Sequence, residues 1–226
     1  MRHLNKYYPF DESNFREFFE SEYKIRLNNI GLDGAVRLFE AFSLLPKRLL
    51  TDLIDTIDID ASLGTPMEYF PNHGRWDAES DTMYLNPKVL EQPEDPKHLI
   101  LHEIGHAIDH ELGMVSMKKT WRALSGWTQK PEGITFAQRS NRDYVEHGDY
   151  ERLKIEEDSR MAMSHWWHLK SAAFVRFYAA RSPKEDLAES FAYYVMCETS
   201  RFEDCPEKAK FVKTNILTHK KERGEQ

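Results

Sequence analysis

The sequence predicts an α+β protein in which a small twisted sheet packs on one central helix and a mostly helical C-terminal part follows. Three observations predict it. Strand-like alternation falls early, in LIDTIDIDASLG and NHGRWDAESDTMYLNP. A run of helical periodicity, HLILHEIGHAIDH, comes directly after, and beyond Ser182 capping signals and helical spacing recur. The chain has 226 residues, 40% hydrophobic and 12% aromatic, enough to bury a core as one folded domain spanning 1–226. Its net charge of −7 comes from interspersed acids and bases, which argues against nucleic acid as a partner. The N-terminus lacks an apolar signal region, and no window approaches the ~18 apolar residues of a membrane span. As written, the chain is expected in the cytoplasm without membrane contact, export by a signal-independent route staying open. Two cysteines, Cys197 and Cys205, lack CxxC spacing and read as reduced thiols, a disulfide between them staying open.

The elements follow in order. Phe15, Phe18, Phe19, Tyr23 and Leu27 recur at helical spacing from Glu12 to Leu27, making 1–32 an N-terminal helical segment, and a second helix spans Leu32–Leu50 with a break at Pro46. Ile57 to Asp60 alternates as a strand closed by Gly64 and Pro66. A hairpin is expected from a strand near Arg75–Asp77, a polar turn at Ala78–Asp81 and a strand through Met83–Leu85. The next helix, of about seventeen residues, has Asp95 as N-cap, Pro96 at its first position and Gly113 at its stop. Residues 114–180 read as an insertion or lid, tryptophan-rich at first and then charged and helical in tone from Tyr150 to Lys170. Ser182-Pro183-Lys184-Glu185 is a capping box opening a helix to about Thr199. Pro206 opens a last helix with Phe211, Val212 and Ile216 on its apolar side, and 219–226 is a frayed tail.

The chemistry lies in LHEIGHAIDH, Leu101 to His110. Residues four apart stack on one helical face, so His102 and His106 can aim ring nitrogens at one ion about 2.0–2.1 Å away. Glu103 falls beside that ion, placed to take a proton from a water, the division of labour in HExxH metallopeptidases. Chance yields only about 0.04 such patterns in a chain of this composition. Ile100, Ile104, Ala107 and Ile108 form an apolar stripe, with His102, His106 and Asp109 on the other side. A catalytic zinc takes three protein ligands. His110 cannot be the third, being about 12 Å along the helix from His102. The glycine-bent HExxHxxGxxH variant is also excluded, with Asp109 and Leu112 where its glycine and third histidine belong. Glu185 and Glu189, four apart on a later helix, are candidates: one for the ion, one to accept a ligand histidine's N–H and fix its tautomer. Equally, Glu185 could serve only the capping box while Glu189 is solvated. Asp109 divides between that supporting role and a surface acid. His165 and His168 of HWWH could form a second metal pair, though a tryptophan-rich segment is more often packing surface; Trp121 and Trp127 read as core or cleft wall, and His73 as structural or solvated.

HEIGHAID together with YAARSPKEDLAESFAYYV resembles the zinc-peptidase domain of anthrax toxin lethal factor and its relatives, including the Pro-Pro endopeptidases, all gluzincins. Similarity runs from about Leu44 to Phe211, and only the two motif regions are specific. The family pattern is HExxH, then a tyrosine seven residues before a glutamate ligand, then a glutamate four further on. Those positions are Tyr178, Glu185 and Glu189. The resemblance implies a zincin-like fold, zinc bound by His102, His106 and Glu185, Glu103 as general base, Tyr178 stabilising the oxyanion, and Glu189 supporting the ligands from behind. It also implies a peptide or protein substrate held by strand addition along an edge strand at Gly74, Arg75 and Trp76. The charged stretch from Tyr144 to Lys170 departs from the family. The expected activity is zinc-dependent endopeptidase chemistry. The rivals are a non-catalytic, zinc-stabilised interaction or immunity-type protein, and a chain with no metal. A structural zinc needs neither the base Glu103 nor the phenol of Tyr178.

Overall fold

A computed structural model describes residues 12–50, 53–63, 73–91, 96–129, 138–139, 144–153 and 166–218. The expected N-cap Asp95, the strand-closing Gly64 and Pro66, His165 and the 219–226 tail lie outside the described residues. The structure is of mixed α and β type and divides into two compact units, 12–111 and 112–218.

The first unit opens with α1 (Glu12–Tyr23), β1 (Arg26–Leu27), α2 (Leu32–Phe42) and α3 (Lys47–Leu50). The expected helix to Leu27 stops four residues early. Lys24 takes a left-handed φ of 60°, and Arg26 then donates its N–H to the Asp55 carbonyl, so Leu27 belongs to the sheet. Phe15, Phe19 and Tyr23 of α1 meet Phe39 and Phe42 of α2 with ring centres 5.2–6.1 Å apart, edge-on as aromatic quadrupoles favour. Next come β2 (Thr56–Ile59), β3 (Gly74–Asp77), β4 (Thr82–Leu85), α4 (Pro87–Glu91) and α5 (Lys97–Glu111). The sheet order is β1-β2-β4-β3. β1, β2 and β4 run parallel, while β3 turns back antiparallel with Gly74 opposite Leu85 and Asp77 opposite Thr82. β3 and β1 are therefore the two outer strands of this sheet among the described residues. Ile57, Met83 and Leu85 of the sheet and Ile100, Leu101 and Ile104 of α5 are fully buried, each worth roughly 1.5–3 kcal/mol against exposure.

The second unit holds α6 (Lys119–Arg122), a sheet of β5 (Gln138–Arg139), β6 (Tyr144–His147), β7 (Tyr150–Leu153) and β8 (His168–Leu169), a 3₁₀ turn at Phe177–Arg181, α7 (Pro183–Val195) and α8 (Pro206–Phe211), which continues as a π-helical segment Val212–Leu217. The sheet is antiparallel in sequence order. This corrects the expectation of helix from Tyr150 to Lys170, since the described portion of that stretch contains strands. The cause is local: Gly148, φ 56°, begins a two-residue turn that pairs His147 with Tyr150, the backbone that a tight hairpin demands and glycine gives without strain. α7 ends at Val195 rather than near Thr199, because Cys197 is left-handed at φ 60°. Trp121 and Trp127 are core residues. Trp121 packs on Phe211 and donates its indole N–H to the Pro183 carbonyl at 3.1 Å.

Candidate metal centre

α5 is buried on both sides. Ile100, Ile104, Ala107 and Ile108 fill one face; Leu101, His102, Glu103 and Asp109 are also buried, and His106 is half-buried. The polar face that the sequence shows is thus not a solvated one, and Asp109 is not a surface acid. Withdrawing two imidazoles and two carboxyls from water is costly unless each is paired or coordinated. His110 faces solvent at the helix end.

The histidine geometry fits a shared ion. The Nε2 atoms of His102 and His106 are 3.1 Å apart and their rings are nearly perpendicular, at 88°. Two nitrogens at about 2.0–2.1 Å from a tetrahedral zinc would be about 3.3 Å apart, so the pair is within a few tenths of an ångström of coordinating distance. His98, one turn earlier, has its ring centre 6.3 Å from that of His102; it was not among the sequence candidates, although its i, i+4 spacing was visible.

Glu103 packs against the start of β3. A Cβ at Gly74 would lie 2.8 Å from Glu103 Cγ and Oε1 and 3.0 Å from Cδ. Glycine at 74 is what lets the outer strand approach the carboxylate this closely. The other two residues expected along this strand differ in setting. Arg75 is exposed and lies over its cross-strand partner Tyr84 at 4.7 Å, whereas Trp76, opposite Met83, is half-buried.

In the second unit the capping signal forms as the sequence implies. The Ser182 hydroxyl accepts the Glu185 backbone N–H at 3.2 Å, which starts α7 and fixes Glu185 in its first turn. Glu185 is half-buried, and Glu189 one turn later is buried rather than solvated. Glu189 Oε2 is 3.6 Å from Arg176 Nε. Tyr178, on the 3₁₀ turn just before α7, accepts a hydrogen bond at its phenol oxygen from Arg181 Nη1 at 3.0 Å.

A buried charge pair escaped the sequence reading. Lys208 Nζ is 2.7 Å from Asp186 Oδ1 and 2.7 Å from the Ala173 carbonyl, with the Phe174 ring centre 4.1 Å away. Asp186 Oδ2 accepts from Trp127 Nε1 at 3.1 Å and Ser125 Oγ at 3.2 Å. Burial pushes the Asp186 carboxyl up, against the pull of Lys208 and these donors. The only sign in the sequence was an acid beside Leu187 on the apolar side of α7. His168 is also buried, its ring 5.2 Å from Trp127 and 4.8 Å from Phe174. Burial, with the Lys208 charge, lowers its pKa to about 4, against the Leu169 carbonyl contact that favours protonation. His168 is thus an aromatic-packed core group.

Comparison with protein-family models, curated proteins and solved structures finds no match.

Proposed function

We propose that this protein is a zincin-like, zinc-dependent endopeptidase in which His102, His106 and Glu185 form the donor set. The observation that carries the reading is the 3.1 Å approach of the two Nε2 atoms on a buried helix turn beside a buried glutamate. A mixed sheet whose outer antiparallel strand begins against that glutamate supports it. Two imidazoles and one carboxylate are the protein ligands expected of a catalytic zinc that keeps one position open.

When bound, zinc would supply Lewis acidity, lowering the pKa of a water toward about 7 and polarising a peptide carbonyl. Glu103 takes the proton of the attacking water and delivers it to the leaving amine. Its withdrawal from solvent and its packing against Gly74 hold the carboxylate in place without any reorganisation at the moment of reaction. Tyr178 donates its phenol hydrogen to the oxyanion of the tetrahedral species. β3 offers backbone groups at Gly74, Arg75 and Trp76 to an extended peptide, and Glu189 and Asp109 are buried acids that support the ligands.

The test separates base from ligand. Glu103→Ala should keep its zinc and lose cleavage of a quenched fluorescent peptide library. Metal loss with that substitution, or undiminished turnover, would overturn the role given to Glu103. Tyr178→Phe should also keep zinc while turnover falls steeply.

A further inference from the structure

We infer that Arg181 is a positioning residue for Tyr178, holding the phenol so that its hydrogen is presented outward as a donor. The inference rests on the proposed peptidase reading, in which Tyr178 stabilises the oxyanion.

The local fold creates the pair. Tyr178 and Arg181 are three apart on the 3₁₀ turn Phe177–Arg181, and at three residues per turn such side chains eclipse one another. Arg181 Nη1 donates to Tyr178 Oη at 3.0 Å, with the guanidinium carbon 5.6 Å from the ring centre. A guanidinium has five donors and no acceptor. The phenol oxygen can therefore only accept from it, and its own hydrogen must point elsewhere. A donor charge on the oxygen also polarises the O–H bond, strengthening whatever hydrogen bond the phenol then gives. An oxyanion needs such a donor. Arg176 completes the frame: its guanidinium carbon is also 5.6 Å from the Tyr178 ring, and its Nε is 3.6 Å from the buried Glu189 carboxylate. Arg181 immediately precedes the N-cap Ser182, so the phenol is tied to the same turn that sets Glu185.

The experiment uses the full chain loaded with zinc and the quenched peptide library as probe. Arg181→Ala should lower kcat about ten- to a hundredfold, the worth of a charged hydrogen bond. KM should be little changed, and Arg181→Lys should recover part of the loss. Zinc content should match that of the unsubstituted protein. Added to Tyr178→Phe, Arg181→Ala should cost nothing further, since it acts through the phenol. A full additional loss in the double variant would overturn the inference. So would normal turnover of Arg181→Ala beside a crippled Tyr178→Phe, which would leave the peptidase reading standing. Undiminished turnover of Tyr178→Phe would remove the phenol from the mechanism and this inference with it. A readout free of turnover is the Cζ resonance of Tyr178 in protein labelled with 13Cζ-tyrosine, assigned as the signal missing from Tyr178→Phe. It should shift in Arg181→Ala and return most of the way in Arg181→Lys; an unmoved signal overturns the inference.

Discussion

Substituting Gly74 by alanine asks whether Glu103, the proposed base, is held by the sheet. The new Cβ would sit 2.8 Å from both Cγ and Oε1 of Glu103, where ordinary contacts begin at 3.4 Å, so strand or side chain must give by about 0.6 Å or more. Cγ is close to the α5 backbone and cannot swing aside as the tip of a long side chain can. α5 is itself packed on both faces. Overpacking of this kind costs about 1–3 kcal/mol. In an open position the same change would stabilise by about 0.4–1 kcal/mol through the unfolded chain, so the sign of the effect is diagnostic. Misplacing a catalytic group by 1 Å costs about 100-fold, and a shift of about 0.6 Å should lower kcat roughly tenfold or more. Zinc should be retained, because neither histidine is displaced directly. Urea unfolding and turnover on the peptide library, run on the same zinc-loaded samples, measure both effects. A Gly74→Ala protein as stable as its parent, with unchanged kcat, would refute the close packing of β3 on Glu103.

The buried pair of the second unit gives two further expectations. Lys208→Met leaves the Asp186 carboxyl uncompensated in the core and should destabilise by about 3–5 kcal/mol, measured by urea unfolding; Lys208→Met with Asp186→Leu should recover much of that, and a single variant losing under about 1 kcal/mol would deny the pair its place. His168 should make stability fall with acid. Its folded pKa of about 4 lies below the unfolded value of 6.5, so the unfolded chain binds the proton first. Stability is whole above pH 6.5 and declines as pH drops toward 4, by about 3 kcal/mol in all. His168→Gln should flatten that limb of the urea-midpoint profile, and an identical slope in the two proteins would contradict the assignment.

What could be read from the sequence was local. The hairpin and the α5 helix were legible because alternation, a turn rich in acids, a Pro near the helix start and histidines at i, i+4 are all written within one element. Lys24 was not, because a lysine in the left-handed region carries no signature, and the helical spacing continued through it to Leu27. The strands Tyr144–His147 and Tyr150–Leu153 were missed because their charges masked the alternation; His147-Gly148-Asp149-Tyr150 was the signal that could have found them. The burial of His102, Glu103 and Asp109 could not be read either, since a polar helix face looks the same whether water or protein covers it. Asp186 and Lys208 are 22 residues apart, and no periodicity links an acid on one helix to a base on another.

In the proposed site two imidazoles of α5 and the carboxylate of Glu185 hold one zinc. Metal analysis of the purified chain and of His102→Ala and Glu185→Ala variants, after equilibration with limiting zinc and removal of the unbound metal, tests it directly. About one zinc per unsubstituted chain and almost none in either variant is expected. A chain that takes up no zinc, or a Glu185→Ala protein that binds it as tightly as its parent, would contradict it.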